Sequence, residues 1–363
     1  MRIVLRGIGV VGGFGCGVAE LSTALHGNTG CPVSFPLSVG SQPREIPVFR
    51  ADTSRLESFV PARTLRRIDH YSRLGLLGSY LALTDAGLAG EDRNGLGVVV
   101  ATGHGATGIT FAYLNSFIHD GDICASPTHF ANSLHNSAAS NISILLGATG
   151  PNLTVSQLDL SVPSALLTAR QWLLEGRVDR LLFGAIDEMS ELMGYVWHRQ
   201  RGTPVSATMT PLRTEAETAI PAEGAAFFLF AREEGNSDGY CTLDEVLTGN
   251  QPEGNMFRRA PELLVLAADG RPDVGRQYAA RAANARVACY TPIYGSTPAG
   301  PAFDLAAAAL IMKDGIVFAS PGGDACDFPA TVASADEPFD GATIDCLTLT
   351  PDGGYGLITV GRR

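Results

Sequence analysis

The pattern that most narrows the fold is an alternation of glycine-punctuated apolar strands with helices, repeated along the whole chain. RIVLRGIGVVGGFGCGVAELSTALHGN reads as a β-branched strand, a Gly-rich turn and an amphipathic helix with Val18, Leu21 and Leu25 on one face. RRIDHYSRLGLLGSYLALTDAGL carries apolar residues at helical spacing up to a stop at Gly87, and GLGVVVATG (Gly95 to Gly103) follows as a short buried strand. VDRLLFGAIDEMS is a further strand, and EGAAFFLFAREE reads as an edge of the same sheet. Between them HRQRGTPVSATMTPLRTEAET has the polar, Gly/Pro-containing composition of a surface loop.

The last third repeats this grammar in shorter form. PELLVLAADG is strand and turn, RQYAARAAN helix, ARVACYTPIYG strand, FDLAAAALIMKDG helix, and IDCLTLTPDGGYGLITVGRR a closing hairpin. Two αβ halves of unequal length follow, 1–238 and 239–363, with the boundary in the linker-like GNSDG.

Composition excludes several functions. A chain of 363 residues with 45% hydrophobic and 17% charged residues buries a sizeable core. Its apolar runs fall short of the roughly 18 residues that span a bilayer. The N-terminus lacks a signal-peptide cleavage pattern, so a cytoplasmic protein is expected. Net charge is −11 and Lys313 is the single lysine, which disfavours nucleic acid and anionic membranes as partners. An acidic carrier protein would need a local arginine patch, or contact through another subunit. The seven cysteines, Cys16, Cys31, Cys124, Cys241, Cys289, Cys326 and Cys346, are scattered and read as buried reduced thiols. His129 and His135 are too irregularly spaced for a helix-borne metal pair, and no metal or cofactor is expected. Gly7, Gly9 and Gly12 have dinucleotide-like spacing but lie inside the first strand, which argues against a nucleotide site. Ser161, Ser164 and Ser296 sit in no G-x-S-x-G elbow, so a hydrolase triad lacks support. His104, in ATGHGATG, reads as a turn residue, with a place in the wall of a neighbouring space as the second reading.

RGIGVVGGFGCG, RRIDHYSRLGLLGSYLALTDAGL, GATGPNLTVS, the FDLAAAALIMKDG helix and the PDGGYG hairpin together resemble the β-ketoacyl synthases. The resemblance implies a thiolase-like α/β fold of five αβαβα layers, made of two pseudo-duplicated halves, and a dimer in which two strands pair across the interface. It also implies a nucleophilic Cys eight residues after Pro151, at the mouth of a helix that lowers the thiol pKa. Asp159 stands there. The two histidines that help active members decarboxylate malonyl carrier protein have no counterpart, because no histidine follows His198. Aligning LLVLAADGR and YGSTPAGPAFDLAAAAL with their motifs places Asp269 and Ser296 at those positions. A register matching STPAG to the first motif also leaves both without histidine. Asp352 replaces the Phe of the family's gating hairpin.

With all four positions changed, the resemblance is to the chain-length factor of a type II polyketide synthase, and it implies a non-condensing subunit paired in a heterodimer with a catalytic ketosynthase, working on acyl chains held by an acyl carrier protein. The short chain and the NSLHN segment resemble polyene-forming, aryl polyene-like systems. In such factors the tunnel-controlling residues lie on a helix at spacings of three and then four, which here gives Thr110, Tyr113 and Phe117, with Leu134 a further wall candidate. Periodicity alone also allows Tyr113 and Phe117 to be core aromatics. Asp159 is expected to cap the following helix, with a hold on the partner's loop as a second role. A decarboxylase or acyltransferase using Asp159 or Asp269, and a homodimeric carrier-binding scaffold, are the rival readings.

Overall fold

A computed structural model describes residues 1–363 except 40–41, 122, 124, 204–207, 234–237 and 251–255. The elements that position the site are β1 (Arg2–Gly12), α1 (Val18–Gly27), α2 (His70–Asp85), β2 (Gly97–Ala101), α3 (Thr107–Asp120), α4 (Pro127–Asn132), α5 (Ser137–Leu146), β3 (Asn152–Val155), α6 (Ser161–Leu174), β4 (Arg180–Asp187), α7 (Glu191–Arg201) and β5 (Gly224–Glu233). They are followed by β6 (Thr242–Asn250), β7 (Leu264–Leu266), α8 (Pro272–Ala282), β8 (Arg286–Ala288), α9 (Gly300–Asp314), β9 (Thr331–Val332), β10 (Thr343–Leu349) and β11 (Gly354–Gly361).

The strand order is β9-β8-β7-β10-β11-β6-β1-β5-β4-β2-β3. Outward from the junction of β1 and β6 each half runs in the same sequence: its first strand, then its last strand antiparallel, then the penultimate strand antiparallel, then two parallel strands, to which the second half adds a third, β9. The two first strands, β1 and β6, meet at a single pair, Val4 with Thr242. The chain therefore lays down one topology twice. Residues 236–237 of the expected boundary lie outside the described residues.

Alternation along the strands builds the layers. On β4, Leu181, Phe183 and Ala185 join one core while Leu182 and Ile186 join another. The central core packs α6 and α9 between inward faces of both sheet halves. The second places α2 and α5 against the outer face of the first half, and the third places α8 on the outer face of the second. Helix, sheet, helix, sheet, helix is the five-layered thiolase-like arrangement.

Local chemistry explains the element ends. Asp69 caps α2, accepting from Ser72 N at 2.9 Å, and Gly87 follows the helix at φ 71°. Gly7 and Gly9 sit inside β1 because α2 crosses there: a Cβ at Gly9 would lie 2.0 Å from Gly78 O. Close helix packing, not phosphate binding, is the reason for those glycines.

Several expectations need correction. EGAAFFLFAREE is no edge strand, since β5 lies between β1 and β4 and is buried on both faces. The expected 198–218 loop begins as the last turn of α7, and Met209 and Leu212 within it are buried; 204–207 lie outside the described residues. The ARVACYTPIYG strand stops at Ala288, after which Thr291–Tyr294 turns helical with Pro292 near its start. Cys241, Cys289 and Cys346 are buried, but Cys16 and Cys326 are half-buried and Cys31 is exposed; Cys124 lies outside the described residues. Among the described residues no helix is long and apolar enough to cross a membrane.

One buried acid sits in the central layer. Asp304 on α9 accepts from the Tyr294 hydroxyl, its second oxygen has no partner, and burial pushes its pKa up to about 8. From about pH 4 to about 8 the folded protein then holds a proton that the unfolded chain releases, so stability declines as pH rises, by up to about 1.4 kcal/mol per unit. Asp304→Asn should flatten this decline in denaturant titrations run across that range; an unchanged pH profile would contradict it.

Candidate functional site

Three loops at the carboxyl ends of strands converge. After β3 the chain forms a tight turn, Leu158–Leu160, with Leu158 at φ 48°, and this turn aims the Asp159 carboxylate inward. After β7, Gly270 at φ 84° lets the chain turn closely past Thr218 and deliver Arg271 to the start of α8. After the Thr291–Tyr294 turn, Ser296 is fixed by its backbone: its N–H donates to Ile220 O at 2.7 Å, and its carbonyl accepts from Ala222 N at 3.0 Å.

Asp159, Asp269 and Ser296 come together, and Arg271 joins them. Arg271 Nη1 donates to Asp159 Oδ2 at 3.0 Å, and Arg271 Nε lies 2.7 Å from Asp269 Oδ2. The Ser296 hydroxyl donates to the same Asp269 oxygen. The side chains of Arg271 and Asp269 are only 16% and 8% exposed. Burial alone would lower the Arg271 pKa, but Asp269 and Asp159 outweigh it and hold it above its ordinary value. The guanidinium is permanently charged, and it forms a knot with two carboxylates and a hydroxyl.

The knot stands between two spaces. Inward lies a cavity of ≈ 20 Å³, lined among others by Tyr278, Thr291, Gly295 and Leu349, with room for about one water. Outward lies a cleft of ≈ 280 Å³, walled by Leu158 and Thr297 and by Met193, Val196, Trp197 and Arg201 of α7. Asp159 and Arg271 line both. His104 also lines the cleft.

Asp159 does not cap α6. The residue before that helix is Leu160, with no side-chain cap, and the Ser161 hydroxyl ties the turn down by donating to Thr102 O and Leu158 O. The carboxylate is drawn instead to the opposite charge of Arg271, a stronger partner than partial charges on helix amides. Arg271 itself escaped sequence reasoning. Its only trace was a lone Arg two residues beyond Asp269 and just before a Pro, the start of a helix.

Thr110, Tyr113 and Phe117 lie half-buried along α3, with Leu134 exposed after α4. The Tyr113 ring meets Phe117 at 5.4 Å and Phe130 at 5.6 Å, and Thr110 donates to Ser133 O at 3.2 Å. These side chains are therefore not the interior of the core. They form an aromatic surface on which Phe111, Leu114, Ile118 and Phe130 are exposed. His129 and His135 join no group that could hold a metal among the described residues. Asp352 sits in the β10–β11 turn, exposed, accepting from the Thr350 hydroxyl.

Residues 42–236, just over half of the chain, match the N-terminal domain of the β-ketoacyl synthases. The chloroplastic 3-oxoacyl-[acyl-carrier-protein] synthase I of Arabidopsis thaliana is 25% identical over 199 residues, covering 51% of this chain and 40% of that protein. Nodulation protein E of Rhizobium meliloti is 24% identical over 264 residues, covering 68% and 61%. The chain thus spans less than two thirds of the length of these relatives. Among solved structures, the ishigamide ketosynthase/chain length factor superposes over 100% of this chain and 99% of its own, with a TM-score of 0.81 at 16% identity. The ketosynthase ApeO in complex with its chain length factor ApeC, from Xenorhabdus doucetiae, gives 0.78 at 12%, covering 100% and 98%. At such identities the likeness is one of fold.

Arg271→Met should strand two carboxylates and cost about 3 kcal/mol in denaturant unfolding, whereas the triple variant Asp159→Asn/Asp269→Asn/Arg271→Met should regain most of it. A single variant as stable as the parent would contradict the knot.

Proposed function

The chain belongs to the β-ketoacyl synthase family, and we propose that within it this protein is a non-condensing chain-length-factor subunit, paired with a catalytic ketosynthase in carrier-protein-dependent polyketide elongation. The observation that carries this reading is the Arg271 knot. Condensation needs a thiolate to take the acyl chain and donors to stabilise enolate charge. At these positions stand a carboxylate already committed to a guanidinium, a second such carboxylate and a hydroxyl donating to it. The reaction belongs to the complex, and no cofactor is required of this chain.

A partner is supported by what the chain leaves uncovered. β3 ends the sheet with one edge free among the described strands, and Ile144 and Leu158 nearby expose 75% and 60% of their surface. An open edge beside apolar side chains suits strand pairing with a second, homologous subunit. The surface of Thr110, Tyr113 and Phe117, with Leu134 and the exposed side chains beside it, would then be covered and form the floor of an acyl tunnel that limits product length. The short chain and the NSLHN segment favour a polyene-forming, aryl polyene-like system.

Carrier-protein contact has a local basis despite the net charge of −11. Arg63, Arg66 and Arg67 are exposed, with no ion pair of their own among the described residues. They adjoin α4, since Asn132 donates to Arg67 O at 3.1 Å. Such a cluster suits an acidic helix of a carrier protein.

The rival reading is a decarboxylase or acyltransferase using Asp159 or Asp269, with His104 as the imidazole in the cleft. An acyltransferase would need a nucleophile from a carboxylate held by Arg271, and a decarboxylase a free donor for the enolate where the Ser296 hydroxyl is given to Asp269, which makes this the weaker account.

Co-expression with candidate ketosynthases should yield a stable one-to-one complex. A soluble homodimer that releases CO2 from malonyl carrier protein would overturn the proposal. In the complex, Phe117→Ala should lengthen the product, and an unchanged product distribution would count against the tunnel floor. Changing Arg63, Arg66 and Arg67 to Glu should weaken carrier-protein binding about tenfold or more at low salt, with the loss shrinking as salt rises; equal affinity would place the carrier on the partner alone.

A further inference from the structure

α3 is anchored in an unusual way. None of its described side chains is fully buried, and Ile109 is the one that packs against a core cluster among the described residues. The turn that leads into it and its first residues are held instead by two consecutive acids at the end of β4, Asp187 for the turn and Glu188 for the helix start, which are 1% and 7% exposed.

Asp187 takes up the turn that follows β2. One of its carboxylate oxygens accepts from the Thr102 hydroxyl at 3.0 Å, from Gly103 N at 3.1 Å and from His104 N at 2.9 Å. The turn is closed by Gly105 N, which donates to the Thr102 hydroxyl oxygen at 2.9 Å. Glu188 takes up the helix start: it accepts from Gly108 N at 2.6 Å and from the Thr107 hydroxyl at 3.3 Å. α3 has no side-chain cap from its own N-terminal segment, so a distant strand supplies the acceptor that helix amides need. The Thr107 hydroxyl also meets the Ser190 hydroxyl at 2.8 Å, and Ser190 caps α7. One pair of acids thus ties α3 to the central sheet and, through Ser190, to the helix that walls the cleft.

Burial pushes both carboxyls above their ordinary pKa, while for Asp187 the neighbouring His104 and for Glu188 the Gly108 amide pull back. Keeping two acids buried side by side is costly unless their hydrogen bonds are needed where they are.

We propose that Asp187 and Glu188 are positioning residues for product length: they set the axis of α3, and so the depth to which Tyr113 and Phe117 reach into the acyl tunnel. This rests on the chain-length-factor reading above. Neither acid touches the acyl chain. Both act through the helix that does.

The test uses the one-to-one complex with its ketosynthase. Glu188→Met, which removes the acceptor, should leave the complex assembled but reduce the share of the main product about threefold or more in favour of other lengths. Glu188→Gln, whose amide oxygen can still accept from Gly108 N, should stay within about twofold of the parent. In the full chain, amides from Gly108 through Phe111 should exchange hydrogen about tenfold faster in Glu188→Met. If that variant does not fold, Thr107→Val removes one strand of the same clamp and is read in the same way. An assembled complex with the parent's product distribution overturns the proposal, even where exchange is faster, because the acids would then be structural only. Failure of any ketosynthase to pair with the unmodified chain sinks the chain-length-factor reading itself, a different result from an intact complex whose product ignores the clamp.

Discussion

The ion pairing of Arg271 with Asp159 and Asp269 is the constraint on which the rest of the site depends. Three loops from two separate halves of the chain end in groups that would repel or waste their hydrogen-bonding capacity if left alone. The guanidinium offers enough donors, in a fixed planar fork, to hold both carboxylates. The hydroxyl of Ser296 fills the remaining demand of Asp269. At the positions where the resemblance to the β-ketoacyl synthases implies a thiolate and imidazoles, this chain keeps an ion-paired, hydrogen-bonded cluster. Such a committed cluster is compatible with the proposed role in shaping space rather than making bonds.

The fold that carries the knot was largely legible in the residues. Strand and helix alternation, the Gly87 helix stop and the closing hairpin all reflect local periodicity and turn chemistry, which act over few residues. What was misread depended on neighbours far away in sequence. β5 looks like any apolar strand, and only its pairing with both β1 and β4 makes it central. Gly7 and Gly9 imitate a phosphate loop until α2 is seen to press on them.

The site was half legible. Asp159, Asp269 and Ser296 could be placed by resemblance to the β-ketoacyl synthases, and the structure brings them together. Their partner could not be, because an arginine next to a proline carries no local signal of function. The expected cap at Asp159 failed for the same reason, since a full charge across the site outcompetes helix amides nearby. The acids Asp187 and Glu188 were equally hidden: side by side they look like a polar strand end, and their partners, the turn after β2 and the first turn of α3, come from far away in sequence.

Intact-protein mass measurement after incubation with an acyl-loaded carrier protein tests the central claim most directly. With the ketosynthase complex, the account predicts an acyl adduct on the partner's cysteine and none on this chain. An acyl adduct on Asp159 would contradict it.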